Sequence, residues 1–169
     1  GPKRVSPFFI PMMIANMAGG NIGIRFETKV PCLPVANACA TSTNEVGEAF
    51  HAIRAGYADV ILAGGAEAAI TPIGVAGFTN CMALSLSENP DEASLPFDKR
   101  RNGFVMGEGA GALILEEYEH AKRRGAHIYA EVTGYSCTCD AYHMTAPAPG
   151  GEGAARSILL ALEKSGGAQ

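Results

Sequence analysis

The apolar and polar positions that follow Cys39 repeat with the period of a helix. Four apolar side chains occur at spacings i, i+3, i+4 and i+7: Val46, Ala49, Phe50 and Ile53. Residues at this spacing share one face of a helix. Thr43 or Asn44 is a suitable N-terminal cap, and Gly56 is a suitable end. The pattern predicts an amphipathic helix that begins a few residues after Cys39.

Short apolar runs bounded by turn-forming residues predict strands. They lie in residues 30–36, in "ADVILAGGAEA" before a turn at its glycine pair, in "GEGAGALILEE" after a glycine turn, and in the alternating "IYAEVTGYSCTCDAYHM". Further helices are predicted in "FFIPMMIANMAGGNIGI", which is apolar enough to be buried, in the basic segment stopped by Gly125, and from near Glu152. Residues 70–85 are predicted as helix or loop, and 88–104 as a surface loop. Strands alternate with helices, which indicates the α/β class with a largely buried sheet.

The composition narrows the classes of function. Hydrophobic residues make up 47% of the 169 residues and charged residues 18%, which is enough for a sizeable core. The net charge of −4 gives no reason to expect nucleic-acid binding. No apolar run has the length of a membrane span, and no secretory signal is visible. Five cysteines without framework spacing favour a reducing cytoplasm.

Cys39 has two interpretations. A cysteine in an apolar run is usually an inert, small core residue. Here it stands between a short extended piece and a helix, with the polar turn "TSTN" following it. At such a position the free backbone N–H groups and the helix dipole favour a thiolate and can stabilise an oxyanion. The context therefore makes Cys39 a candidate nucleophile.

The segment "NACATSTNEVGEAFHAIRAGYADVILAGGAEA" carries a specific resemblance. It resembles the active-site segment of the β-ketoacyl-[acyl-carrier-protein] synthases, the condensing enzymes of the thiolase fold. The similarity continues through "FDKRRNGFVMGEGAGALILEEYEHAKRRGAHIYAEVTGY" and "DAYHMTAPAPGG", so it covers essentially the whole chain. The closest type is the elongating synthase II of type II fatty-acid synthesis. The resemblance implies an α/β, thiolase-like layered αβαβα architecture, of which this chain holds the end of the first half, residues 1–127, and the start of the second, 128–169.

The resemblance also implies an acyltransferase of fatty-acid biosynthesis and lipid metabolism. Cys39 would take an acyl group from the phosphopantetheine arm of an acyl carrier protein, and a malonyl group on a second carrier would then lose carbon dioxide and attack that thioester. No cofactor is expected, since the substrates arrive on the carrier. A cytoplasmic homodimer is expected, paired through the strand at 30–36.

Further site residues follow only from the resemblance. Phe78 would line the acyl pocket beside the cysteine, and Thr145 and His143 would lie near the pantetheine arm and the active-site channel. Lys3 and Arg4 match a basic patch that meets the acidic carrier protein. From composition alone, Phe78 is an ordinary core aromatic and the two basic residues are ordinary surface charges.

The two histidine motifs that would supply a base for Cys39 are missing from this sequence. The family carries two catalytic histidines, in an "HGT" motif and a "GH" motif, and neither motif occurs in this sequence. His51, His120 and His127 have the surroundings of ordinary helix or surface residues. The resemblance therefore implies that the chain corresponds to less than half of a synthase.

Two alternative functions and one alternative site remain. A polyketide ketosynthase has a similar sequence in this region, and a non-catalytic carrier-binding or structural fragment is a third possibility. Cys137 and Cys139, with Asp140 and His143, resemble half of a metal site, but no second cysteine or histidine pair accompanies them. We therefore expect no metal. "GEGAGA" is expected to be a structural turn rather than a nucleotide-binding loop.

Overall fold

The computed structural model describes residues 1–166. Within that range the helices and strands follow in the order α1 (Phe9–Met13), α2 (Met17–Phe26), α3 (Thr41–Arg54), β1 (Val60–Glu67), α4 (Pro72–Asn80), β2 (Gly109–Glu116), α5 (Tyr118–Arg123) and α6 (Glu152–Lys164). Short 3-10 turns occur at Pro2–Arg4, Ala38–Ala40, Pro90–Glu92 and Pro149–Gly151. The order alternates helix with strand only around β1 and β2, which pair in a two-stranded sheet.

The chain forms two compact units. The first consists of Gly1–Gly64 together with the chain from Ala112 onward, and the second is Gly65–Gly111. The first unit contains α3, α6 and the 3-10 turn Ala38–Ala40, called the Cys39 turn below, while the second contains α4 and the long loop that follows it.

The core of the first unit lies where α3 meets the paired strands. Ala49 of α3, Ala63 of β1 and Leu115 of β2 are buried together. Four partly buried side chains surround them: Val46, Phe50, Ile53 and Ile61. The predicted apolar face of α3 is therefore confirmed, since the residues at helical spacing are the ones that pack.

The C-terminal end of α3 is also as predicted. Gly56 has a φ of +76°, which glycine adopts without a steric penalty. The N–H of Tyr57 donates to the carbonyl of Ala52, and the N–H of Gly56 donates to the carbonyl of Ile53. This pair of bonds is the Schellman motif, which satisfies carbonyls that the helix end leaves free.

The second unit is organised around α4. Thr71 caps this helix, accepting a hydrogen bond from the N–H of Gly74 at 3.1 Å, and Pro72 occupies the first turn. Most of residues 88–104 is exposed and irregular, with one 3-10 turn at Pro90–Glu92, so the predicted surface loop is confirmed.

The sheet differs from the prediction. Residues 30–36 and 128–144 do not form strands, although their composition favours extended chain. A strand is defined by hydrogen bonds to a neighbour, and within residues 1–166 the sheet offers only β1 and β2. Pro31 and Pro34 also have no N–H to donate. With two strands the sheet is not largely buried: in β2, Gly109–Ile114 is exposed.

Two further expectations are wrong. The glycine pair at Gly64 and Gly65 lies inside β1 instead of forming a turn after it. The apolar segment near the beginning of the chain forms two helices, α1 and α2, and neither contains a buried residue. Hydrophobicity indicated burial there, but within residues 1–166 most of the large apolar side chains of both helices are exposed.

Candidate active site

Cys39 lies at the centre of the 3-10 turn Ala38–Ala40, which leads directly into α3. Ala38 has a φ of +47°, in the left-handed region that disfavours residues with a Cβ. The N–H of Asn37 donates to Oγ1 of Thr41 at 2.8 Å, and the N–H of Ala40 donates to the carbonyl of Asn37 at 3.2 Å. These two bonds close the turn on the first residue of the helix. Strained backbone held by its surroundings is typical of functional sites.

The beginning of α3 corrects the predicted cap. The helix begins at Thr41, and Ala40 at the cap position makes no side-chain hydrogen bond. Neither Thr43 nor Asn44 is the cap, because the 3-10 turn runs continuously into the helix. The thiol of Cys39 is free and exposed, as are the other four cysteines: Cys32, Cys81, Cys137 and Cys139.

The four histidines have contacts that do not involve Cys39. The His51 ring packs edge-on against Tyr135, with 5.4 Å between ring centroids, and His51 follows the start of α3 by ten residues, about 15 Å along the helix axis. Nδ1 of His120 bonds to Glu116, and the His127 ring packs against Tyr129. His143 belongs to a loop described below.

Glu116 is the most strongly perturbed carboxyl. Its side chain is 9% exposed and bonds to the Arg124 guanidinium at 2.7 and 2.6 Å as well as to His120. The hydrogen bonds from Arg124 and then from His120 lower the pKa of Glu116 to about 2. This cluster ties the end of β2 to the end of α5, where basic residues also favour the helix dipole.

The structure brings two of the expected substrate-binding residues together. Nδ1 of His143 accepts hydrogen bonds from the N–H groups of Thr145 at 3.2 Å and Ala146 at 3.1 Å. The same loop is fixed at its base, because Oδ2 of Asp140 accepts from the N–H of Ala148 at 2.8 Å. The roles of His143 and Thr145 toward a pantetheine arm stay predictions.

The remaining expected site residues are Phe78, Lys3 and Arg4. Phe78 belongs to α4 in the second unit, where it packs edge-on against Phe104 with 5.4 Å between centroids, and it is 41% exposed. Its place beside Cys39 stays a prediction. Lys3 and Arg4 are exposed in the first 3-10 turn. Among residues 1–166 no three potential ligands gather into a metal site.

Sequence reasoning missed the surroundings of α3. An open groove of about 410 Å³ runs along the helix and is lined by Ser42, Thr43, Val46, Gly47, Val132, Gly134 and Tyr135. Tyr135 is buried, and its hydroxyl donates to Oδ1 of Asn44 at 2.9 Å. Burial raises the pKa of Tyr135 to about 12. The available signal was Gly47, because a glycine inside an amphipathic helix often marks a close approach.

Glu45 of α3 is another residue with perturbed surroundings that the sequence did not indicate. Burial raises the pKa of its carboxyl, the backbone N–H of Val35 opposes that shift, and the neighbouring Glu48 charge adds to it. Its Oε2 atom is buried and makes no hydrogen bond within the described residues.

Two family models match the chain. The model described as "Beta-ketoacyl synthase, N-terminal domain" matches residues 1–121, and the model described as "Beta-ketoacyl synthase, C-terminal domain" matches residues 129–169. The chain belongs to the β-ketoacyl synthase family. The resemblance to this family that the sequence carries is confirmed. The boundary between the two thiolase-like halves near residue 127 stays a prediction.

Curated relatives and solved structures agree with this family. The chain is 56% identical to 3-oxoacyl-[acyl-carrier-protein] synthase 2 of Synechocystis over 98% of its length, and 51% identical to the Staphylococcus aureus protein of the same name. It spans about 40% of the length of these relatives.

A structure described as a type II PKS acyl-carrier protein in complex with its ketosynthase superposes with a TM-score of 0.92 at 37% identity, covering 99% of this chain and 41% of that one. A β-ketoacyl synthase from Burkholderia phymatum gives 0.85 at 38%, covering 96% and 40%. The predicted thiolase-like α/β fold is thereby confirmed.

None of the helices within residues 1–166 combines the length and the apolar character of a membrane-spanning segment.

Proposed function

We propose that the protein carrying this chain is an elongating β-ketoacyl-[acyl-carrier-protein] synthase, an acyltransferase of fatty-acid biosynthesis with Cys39 as its nucleophile. The observation that carries the proposal is the Cys39 turn itself. An exposed thiol stands on a strained turn immediately before a helix of 14 residues, where the positive end of the helix dipole favours the negative charge that develops on the carbonyl oxygen. The names of the 51–56% identical relatives support the same activity.

The proposed reaction has two steps. Sγ of Cys39 attacks the thioester carbonyl of an acyl carrier, a new C–S bond forms, and the bond to phosphopantetheine breaks with release of its thiol. A malonyl carrier then loses carbon dioxide, and its α-carbon attacks the Cys39 thioester. The new C–C bond forms as the bond to Sγ breaks, which returns the cysteine and yields a β-ketoacyl carrier. The phosphopantetheine arms are parts of the substrates, so the proposal includes no separate cofactor.

Transfer of a labelled acyl group tests the proposal. We expect the label of an acyl carrier substrate to appear on the peptide that contains Cys39 in the full-length protein. Cys39→Ser should abolish thioester labelling, because a hydroxyl at this position is a far weaker nucleophile. Cys81→Ser, another exposed thiol of the chain, is the matched control and should retain it. Equal labelling of several cysteines would reject Cys39 as the nucleophile.

The proposed partner is an acidic acyl carrier protein, with Lys3 and Arg4 as its docking residues. The chain has a net charge of −4, so attraction must come from a local basic patch. The 3-10 turn Pro2–Arg4 exposes both residues side by side. A ketosynthase complex with an acyl-carrier protein among the similar structures supports this choice of partner. We further propose a cytoplasmic homodimer that pairs through residues 30–36, where Val30 and Leu33 are strongly exposed.

A polyketide ketosynthase is the second candidate, favoured by the TM-score of 0.92 with a type II PKS ketosynthase. The higher identity to the fatty-acid enzymes favours the first. Product analysis separates them: a fatty-acid enzyme elongates once and requires reduction before the next cycle, whereas a polyketide enzyme condenses repeatedly without reduction. A carrier-binding protein without catalysis would give neither product.

A further inference from the structure

Tyr135 has an unusual position for a residue outside any regular element. It lies in an irregular stretch of the first unit, yet its side chain is only 8% exposed. Its hydroxyl donates to Oδ1 of Asn44 at 2.9 Å. Its ring fills the space beside Gly47, and its edge meets the His51 ring at an interplanar angle of 70°. Asn44, Gly47 and His51 occur at i, i+3 and i+7, so one side chain covers a continuous strip of α3.

The strip covered by Tyr135 includes the helix turn to which the Cys39 turn is attached. Asn44 lies in the first turn of α3, which begins at Thr41. Thr41 in turn holds the chain on the other side of Cys39, through its bond from the N–H of Asn37. The first turn of a helix that has no side-chain cap tends to fray, and Ala40 provides no such cap. The hydroxyl of Tyr135 therefore adds a bond from a distant part of the chain to a helix start that residues 37–41 otherwise hold through their own hydrogen bonds.

The bond also joins the two family domains within the first unit. Asn44 lies in the part that matches the N-terminal domain, and Tyr135 lies in the part that matches the C-terminal domain. Packing of the ring alone would be satisfied by phenylalanine, because the ring fills the same volume without the hydroxyl. The hydroxyl and its acceptor are thus the part of the contact that packing does not explain.

We infer that Tyr135 is a positioning residue, which holds the first turn of α3, and through it the Cys39 turn, in the geometry required for acyl transfer. The inference rests on the proposed function, because it needs Cys39 to be the nucleophile. A turn that samples other geometries presents Sγ correctly for a smaller fraction of the time, so the rate of acylation falls while substrate binding is retained.

Tyr135→Phe in the full-length protein tests the inference. Cys39 is alkylated with iodoacetamide, a small reagent that needs no carrier docking, and both the rate constant and the final fraction labelled are measured by peptide mapping. We expect the rate constant and kcat to fall about threefold to tenfold, the range that one lost hydrogen bond allows, with KM for the acyl carrier substrate within about twofold. The final fraction labelled should be unchanged.

Tyr129→Phe is the matched control, because this tyrosine lies in the same stretch and is 93% exposed. It should leave every parameter at the wild-type value. Asn44→Ala removes the acceptor of the same bond and should reproduce the effect of Tyr135→Phe. In the double variant the two effects should not add, since both remove one interaction.

The outcomes separate the inference from the proposed function. If wild-type Cys39 is not acylated, the proposed function fails regardless of Tyr135. If Cys39 is acylated and Tyr135→Phe keeps the wild-type rate constant, the positioning role is wrong. A lower labelled fraction with an unchanged rate constant, or loss of folding in both Tyr135→Phe and Asn44→Ala, would show that the bond serves only the stability of the fold and would also overturn the inference.

Discussion

Replacing Gly47 by alanine is the most direct test of the packing on α3. A Cβ at this position would lie less than 3.0 Å from atoms of the Tyr135 ring, so the ring must move. Alanine improves helix propensity by about 0.5–1 kcal/mol. Overpacking costs about 1–3 kcal/mol, and the displaced hydroxyl loses a hydrogen bond to Asn44 that is worth about 1 kcal/mol. The expected net change is a destabilisation of about 1–3.5 kcal/mol.

Gly23→Ala gives the matched control for this substitution. Gly23 also lies inside a helix of the first unit, α2, but a Cβ there would meet Thr28 Oγ1 at 3.6 Å, an ordinary contact. Thermal and urea unfolding of the full-length protein should therefore show Gly47→Ala less stable than wild type and Gly23→Ala at least as stable as wild type. Gly47→Ala with wild-type stability would refute the close packing of Tyr135 against α3.

Three further predictions concern acid stability, carrier docking and assembly. Because the folded-state pKa of Glu116 is about 2 and its ordinary value is 4.5, the stability it contributes is present above about pH 4.5 and is lost as the pH falls toward 2. Glu116→Gln should remove that part of the acid dependence in pH-dependent unfolding, whereas Glu163→Gln on an exposed face of α6 should not. Lys3→Glu combined with Arg4→Glu should raise KM for an acyl carrier substrate, most at low salt, and leave a small carrier-free thioester unaffected; equal loss with both substrates would contradict docking. Light scattering of the full-length protein should give the mass of a dimer, and a stable monomer would contradict pairing through residues 30–36.

Elements with local causes could be predicted from the sequence. The apolar face of α3 and its end at Gly56 depend on residues within one helix and the turn after it. The helix α6 begins at Glu152, as its pattern indicates. In contrast, residues 30–36 and 128–144 have the composition of strands but lack neighbours to pair with inside the described chain. Whether an extended segment becomes a strand depends on a partner that its own pattern does not specify.

The candidate site shows the same division between local and distant causes. Cys39 could be singled out as a candidate nucleophile because its signal, a small polar turn before an amphipathic helix, lies within a few residues of it. Its support could not, because Tyr135 follows Asn44 by 91 residues and carries no motif of its own. Ala38, next to Cys39, has a strained backbone conformation. Such a conformation costs free energy and persists only where surrounding contacts hold it, so distant contacts matter for this turn. In this chain the proposed nucleophile is therefore indicated by its neighbours in sequence. The contact proposed to position it comes from the part that matches the C-terminal family domain, and that contact is visible only in the folded structure.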